Sequence, residues 1–377
     1  MPKNFYDTVI IGAGISGLAC AKKLMENQKD FVIISADIGG RILTSQDGKT
    51  NYGAFFVCSD YHYLLKYSTI KSRIRLSDFC FHNGKINYKL YELSLIPYFL
   101  QFYKIKKLLY KFRKSLRNLR KNAQFISQKK VVENDSFLFD LYMQNASDFV
   151  KENGLGKGTK KYLSQALYST TFSKITEMNA FSFLQFLLPL ITPIYTFTFE
   201  KERMINSFRK NIIKASVKNI KRKNNLYEIN YNYKIIQVKN VVLATQINWS
   251  KNILNITKTN KSVDTNMFHI KGIPKEGYSK KLYHLFTPPD NTQAIANLND
   301  GTFLFYYKKN PPDLNKYFSN SSIIDKHKWS PAGTINGHEL IESNRGFNMY
   351  LIGDYNIAGL EESFITGIYA ANQIIKN

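Results

Sequence analysis

The sequence predicts an α/β protein: a Rossmann-like nucleotide-binding domain built from distant pieces of the chain, interleaved with an α+β domain. Three observations carry this. Residues 7–20 read as a strand that runs through Gly12-Ala13-Gly14-Ile15-Ser16-Gly17 into a helix. A second apolar run, residues 31–35, follows that helix and completes the start of a βαβ pattern. Near the other end, residues 349–354 read as a strand and loop, followed by a helix over 361–375.

Each glycine of the first motif has a separate task. Gly12 suits the tight turn, Gly14 lets the backbone approach a diphosphate, and Gly17 lets the helix pack on its strand. Ala13 and Ser16 lie between them and join the candidate contacts. The helix N-terminus adds free N–H groups and the positive end of its dipole. A glycine turn alone also serves as plain punctuation; the order strand, glycines, helix reads as a dinucleotide site. Ser35 ends the second strand, where NAD-binding units usually place a carboxylate for the ribose hydroxyls. A short loop leads on to Gly39-Gly40-Arg41-Ile42, which suits close backbone approach with guanidinium–phosphate pairing.

Further strands are expected at 226–229, 235–238, 241–245 and 302–307, with turns at the proline pairs 288–289 and 311–312. Residues 130–204 are mostly helical in pattern. A length of 377 residues suits two domains. Three cysteines are too few for a disulfide framework and, like the six histidines, show no metal spacing, so no metal is expected. His82 and His284 read as core or surface residues. A strand within the first ten residues leaves no secretory signal in view, and a reducing cytoplasmic setting fits.

The net charge is +25. It points to an anionic partner, or to a bias spread through a chain rich in Lys, Asn, Ile and Tyr. Residues 93–132 hold no Asp or Glu. Within 104–121, basic residues such as Lys106, Lys107, Lys111 and Lys114 alternate with Ile105, Leu109, Phe112, Leu116 and Leu119 at helical spacing. Two readings satisfy this pattern: a basic helix in peripheral contact with an anionic membrane, or a solvated face packed on the protein by its apolar stripe. No nucleic-acid motif accompanies the charge, so no nucleic-acid partner is expected. Residues 178–199 carry no charge, but Pro189 and Pro193 interrupt them. A buried helix and strand lining an apolar pocket is expected there rather than a membrane span.

Taken together, Gly12–Gly17, Gly39-Gly40-Arg41-Ile42, Tyr52-Gly53-Ala54, Val241–Thr245, Trp329-Ser330-Pro331-Ala332 and Leu351-Ile352-Gly353-Asp354 resemble the FAD-dependent amine oxidase, protoporphyrinogen oxidase and phytoene desaturase superfamily. The resemblance implies a glutathione-reductase-type FAD domain over 1–60, 205–265 and 335–377, and a substrate domain over 61–204 and 266–334. It implies FAD held without a covalent bond by Gly12, Ala13, Gly14, Ser16, Gly17, Ser35, Gly39, Gly40, Arg41, Ile42, Gly53, Val217, Gly353, Asp354, Glu361, Ser363 and Phe364. Asp354 would bond the ribityl chain. Lys271 is the candidate for the lysine that many amine oxidases of this group place near the flavin; in a lysine-rich chain it also reads as a surface residue. The chain departs from the pattern at Ser35, in the short loop before Gly39, and at Glu362-Ser363, where the group has a Gly-Ala pair. The implied activity is oxidation or desaturation of a hydrophobic small molecule or an amine by hydride transfer to flavin. Two alternatives stand beside it: a non-catalytic binding protein on the same fold, like the Rab escort and GDP-dissociation-inhibitor proteins, and an NAD-linked dehydrogenase.

Overall fold

A computed structural model describes residues 3–84, 87–288 and 290–376. Of the proline turn expected at 288–289, Pro289 lies outside the described residues. The first layer is a sheet whose parallel strands run in the order Ile212–Lys214, Phe31–Gly39, Phe5–Gly14, Lys234–Leu243 and Met349–Leu351. Leu226–Tyr231 and Val217–Lys223 extend it as an antiparallel meander. The strand Lys234–Leu243 serves both parts, and its sequence changes period where its surroundings change. Ile236 and Val238 alternate with exposed Gln237 and Lys239 in the meander, while Val241, Val242 and Leu243 are all buried between layers. One-sided burial asks for alternation and two-sided burial for a continuous apolar run.

Helices Ile15–Glu26 and Leu360–Lys376 cover this sheet and lie against each other. Their approach depends on Gly367: a Cβ there would sit 2.1 Å from the Ser16 carbonyl oxygen and 2.9 Å from the Cys20 nitrogen. Chain ends more than 300 residues apart therefore meet backbone to backbone.

The second layer is a seven-stranded sheet in the order Phe318–Asn336, Lys261–Pro274, Thr302–Tyr307, Thr292–Asn297, Tyr283–Phe286, Phe79–His82 and Asn87–Lys89. It is antiparallel except where Tyr283–Phe286 runs beside Phe79–His82. A small third sheet joins Phe56–Cys58, Ile194–Phe199 and Ser68–Ile74. Two strands of the second sheet, Phe79–His82 and Asn87–Lys89, come from early in the chain, and the other five lie between Lys261 and Asn336.

The 24-residue helix Phe99–Asn122 buries Ile105, Leu109, Phe112, Leu116 and Leu119 in a core shared with Phe181, Phe183 and Leu184 of Ala180–Leu187. Phe112 meets Phe181 edge-on at 5.0 Å. Of the two readings of this stripe, the packed one describes where it lies, so the stripe itself faces no bilayer. Residues 178–199 form the expected helix and strand. No helix among the described residues is long and apolar enough to cross a membrane.

His82 and His284 come together in the second sheet, with ring nitrogens 2.8 Å apart. The His284 Nε2 lies 3.2 Å from the Tyr278 carbonyl and donates to it, which leaves Nδ1 to accept from the His82 Nε2. Cys80 stands beside them, so the three present ligand atoms within 4.8 Å of one another. Linear spacing hid this grouping, which forms across two parallel strands. One nitrogen of each ring is thus taken by the other histidine.

Two predictions follow from this packing. Gly367→Ala forces the two covering helices apart and should lower stability by about 1–3 kcal/mol, read as a fall in melting temperature by circular dichroism. Burial pushes His82 and His284 down to about 4. A depressed histidine stabilises the fold fully above its unfolded pKa, and the contribution is lost as pH falls from about 6.5 toward 4. The double variant His82→Gln/His284→Asn should flatten the stability–pH curve in that window, by up to about 3 kcal/mol per histidine. An unchanged slope would refute the assignment.

Candidate functional site

The site begins at the glycine turn. Gly12 has φ +104°, and a Cβ there would meet the Ala244 carbonyl oxygen at 2.5 Å, so both backbone angle and space demand glycine. Gly17 packs the helix onto this turn. Gly14 caps the helix without a side-chain bond, and nothing lies within 4 Å of where its Cβ would be. Free N–H groups, a positive dipole end and open space before Gly14 together fit a diphosphate. Ser16 is buried beneath, its carbonyl against Gly367.

The second strand corrects one expectation. Only three residues separate Ser35 from Gly39, so the strand continues, and Ile38 and Gly39 pair with Ala13 and Gly14. The Ser35 hydroxyl accepts from the Ala13 N–H at 3.1 Å and donates to the Asp37 carbonyl at 2.7 Å. It braces the glycine turn and does not reach outward for a ribose. Val217 is half-buried at the same end, two residues beyond Ala215, whose amide donates to the Ser35 carbonyl at 3.0 Å. Gly40 lies directly against Gly14. Ile42 is buried, and its amide closes the turn onto the Gly39 carbonyl at 3.1 Å.

Arg41 reaches across to the last motif. Its guanidinium grips Asp354 through two bonds of 2.5 and 2.6 Å and donates to the Ala332 carbonyl at 3.2 Å. The Thr334 amide adds a bond to Asp354 at 3.2 Å. Burial pushes the Asp354 carboxyl up, but the Arg41 charge and these bonds hold it below the usual carboxylate range. Gly353 precedes it and donates its N–H to the Thr366 hydroxyl at 2.9 Å. Gly53 lies against the Arg41 carbonyl, and residues 53–54 line a cavity.

The start of the C-terminal helix is held from several sides. Glu361 is buried and accepts the backbone N–H groups of His62, Tyr63 and Leu64 at 2.6, 2.8 and 3.0 Å. Burial raises its carboxyl, and the three amides pull the other way. Phe364 stacks on Tyr63 at 5.6 Å and Tyr67 at 6.1 Å, inside the core under the first sheet. The Ser363 amide closes the first helical turn onto Gly359 at 3.0 Å. These residues hold the helix in place and do not line the cavity. Helical periodicity turns 361 and 364 together toward the protein interior.

Glu362 is fully buried, and its carboxylate takes the Arg120 Nε and Nη2 at 2.9 and 2.7 Å. Asp60 stands 3.6 Å from Arg120 and 3.5 Å from Arg113. Two arginines of the basic helix are thus neutralised internally by two carboxylates. No sequence signal separated Arg120 from the other basic residues of its helix.

A cavity of about 290 Å³ opens between the second sheet and the helices. Gly53, Ala54, Gly359 and Leu360 line it together with Phe79, Phe81, Tyr162 and Leu285. The expected pocket wall from 178–199 is present as residues 185–190 and Ile194. Arg120 is the one charged residue among its described lining residues. Tyr283 and Tyr306 face it, whereas Tyr307 packs into a separate core and Tyr355 bonds the Thr245 carbonyl in the first layer. Lys271 lies elsewhere. It is exposed on the strand Lys261–Pro274, just past Met267–Ile270, where the strand is buried on both faces.

A family model described as an NAD(P)-binding Rossmann-like domain matches residues 10–67. No curated protein sequence matches the chain. Solved structures match it over its length. A putrescine oxidase variant has a TM-score of 0.72 at 13% identity, covering 100% of both chains. A fatty acid isomerase from P. acnes that produces CLA has a TM-score of 0.71 at 13% identity, covering 100% of this chain and 99% of the other. The cyclohexylamine oxidase of Brevibacterium oxydans IH-35A has a TM-score of 0.65 at 14% identity, covering 98% and 99%.

The buried pair yields a stability test. Glu362→Ala leaves Arg120 in the interior without its main partner and should cost about 3 kcal/mol in chemical denaturation. Arg120→Met combined with Glu362→Leu should recover most of that loss. A double variant no better than the single one would contradict the pairing. At the level of fold, the chain is similar over its whole length to a putrescine oxidase and a cyclohexylamine oxidase.

Proposed function

We propose that this chain is a flavin-dependent oxidoreductase acting on an apolar small molecule. One observation carries the reading: the apolar cavity is lined in part by Gly53–Ala54 and Gly359–Leu360, and Gly53 lies against the carbonyl of Arg41, which pairs with Asp354. The residues before Gly14 fit a diphosphate; Arg41 and Asp354 offer a cation and a carboxylate to the rest of the cofactor once their mutual pair opens. FAD, when bound, supplies the acceptor for a hydride. The chain's own residues bind the substrate, orient it and exclude water. Cys58 lines the cavity, and burial pushes its thiol up to about 12, which supports a flavin held without a bond to sulfur.

The lining favours a neutral or lipid-like substrate over an amine. An ammonium group buried in this cavity would need a carboxylate, and none stands among the described lining residues. The fold neighbours include proteins named for both kinds of substrate, a diamine and a fatty acid.

A second reading has its own support. The Ser35 hydroxyl and the Ala13 N–H satisfy each other, and Arg41 and Asp354 do the same. A chain that binds an apolar ligand without redox chemistry needs neither group free.

The purified protein should show the two visible absorption bands of oxidised flavin, alone or after incubation with FAD. Asp354→Ala should lower bound flavin about tenfold or more, since it removes the carboxylate and leaves Arg41 unpaired. A protein that stays colourless with excess FAD, yet binds apolar ligands, would overturn the first reading in favour of the second.

A further inference from the structure

The helix Phe99–Asn122 has a second apolar face that the protein does not bury. Its N-terminal turns, with the preceding turn Leu93–Tyr98, leave Leu93, Ile96, Phe99 and Leu100 exposed by 84, 66, 68 and 72%. Ile96, Phe99, Leu100 and Tyr103 are spaced three, four and seven residues apart, so they form one stripe. This stripe points away from the buried Ile105, Leu109 and Phe112. Large aliphatic and aromatic side chains exposed side by side mark an interaction surface rather than ordinary scatter.

The helix that continues from the stripe is basic, while the exposed Glu92 precedes Leu93 and accepts from the Lys89 amide at 3.0 Å. Lys104, Lys106, Lys107 and Lys111 follow the stripe on exposed positions, and no acidic residue occurs between 93 and 132. Lys107 lies over the Tyr103 ring at 4.7 Å, which sets its charge at the edge of the apolar patch. A groove of about 540 Å³ opens beside this face, edged by Arg73, Arg75, Lys106 and Tyr91. Its inner wall is Ile74, Leu76, Pro189, Leu190 and Ile194, and the same five residues line the apolar cavity. Groove and cavity are therefore neighbouring spaces behind one basic rim.

We propose that this face docks on an anionic bilayer, with Leu93, Ile96, Phe99 and Leu100 in the interface and the lysines on the headgroups, and that an apolar substrate passes from the bilayer through the groove to the cavity. Docking stands on the exposed stripe and the charge alone; the passage rests on the function proposed above. A bilayer suits the aliphatic stripe better than a nucleic acid, which offers Leu93, Ile96 and Leu100 nothing to stack on. Self-association through the same face would bring two copies of a +25 chain together at their basic helices.

The test uses the whole protein and vesicles of phosphatidylcholine with or without phosphatidylserine. The protein should sediment with the serine-lipid vesicles and remain in solution with phosphatidylcholine alone. Leu93→Ser/Phe99→Ser/Leu100→Ser, and separately Lys106→Glu/Lys107→Glu/Lys111→Glu, should each lower partitioning about tenfold or more at an unchanged melting temperature. No sedimentation of the parent protein would overturn docking. So would a serine variant that binds as well as the parent, because charge alone would then carry the contact, as it would to RNA or an acidic protein. Passage is read separately, with cis-parinaric acid as the probe. Both variants should slow its transfer from serine-lipid vesicles, and the serine variant, whose three positions line neither groove nor cavity, should leave its uptake from solution unchanged. Equal transfer rates would refute the passage while leaving docking, and flavin content, to their own measurements.

Discussion

The position of the C-terminal helix depends on two adjacent buried carboxylates. Glu361 takes three backbone amides of residues 62–64, and Glu362 takes the Arg120 guanidinium. One glutamate thus ties the helix to the segment leaving the first layer, and the other ties it to the long helix of the second. A buried carboxylate is costly unless it is paired; Glu362 takes both Arg120 bonds at Oε1 while its Oε2 has no hydrogen-bond partner among the described residues, so losing Arg120 would leave the charge uncompensated. The candidate site follows from where these two grips hold the helix. That position sets Gly367 on Ser16, brings Asp354 to Arg41, and places Gly359–Leu360 in the cavity lining.

The helix start therefore trades one role for another. The resemblance placed residues 361–364 on the cofactor, where a Gly-Ala pair allows close approach. Here bulk and charge stand at 362, yet the charge turns away toward Arg120. The first helix turn keeps its position while its side chains become anchors between layers. The same shift occurs at the opposite end of the site, where Ser35 braces the glycine turn. At both positions the side chain makes an internal contact: Ser35 with Ala13 and Asp37, and Glu362 with Arg120.

Much of this was legible in the sequence, for a physical reason in each case. The glycine turn, the strand at 31–35 and the buried run at 241–243 depend on local chemistry: backbone angle, close packing and two-sided burial. The helix periodicity of 104–121 was equally clear, as was the pocket wall of 178–199. What escaped detection depends on distant partners. The strands Lys261–Pro274 and Phe318–Asn336 carry mixed polar residues because much of the outer one is exposed, so their pattern is weak. The grouping of Cys80, His82 and His284 exists only once two strands pair. Lys271 was assigned by analogy of position, and it lies exposed just past the stretch of its strand that is buried on both faces.

The charge of the chain is resolved differently at different depths. Arg113 and Arg120 face inward and are neutralised by Asp60 and Glu362, so they contribute nothing to the surface field. The lysines of the same helix meet no such partner and project outward beside the exposed stripe. A compositional excess of lysine accounts for many exposed cations but not for the absence of every carboxylate from 93 to 132, nor for aliphatic residues left in water at its start. Exposure of that kind carries a free-energy cost of about 25 cal/mol per Å². The cost persists in the free protein and is relieved only when something apolar covers the face. The cavity behind the groove, apolar and without a carboxylate, is suited to a molecule that would arrive from the same source.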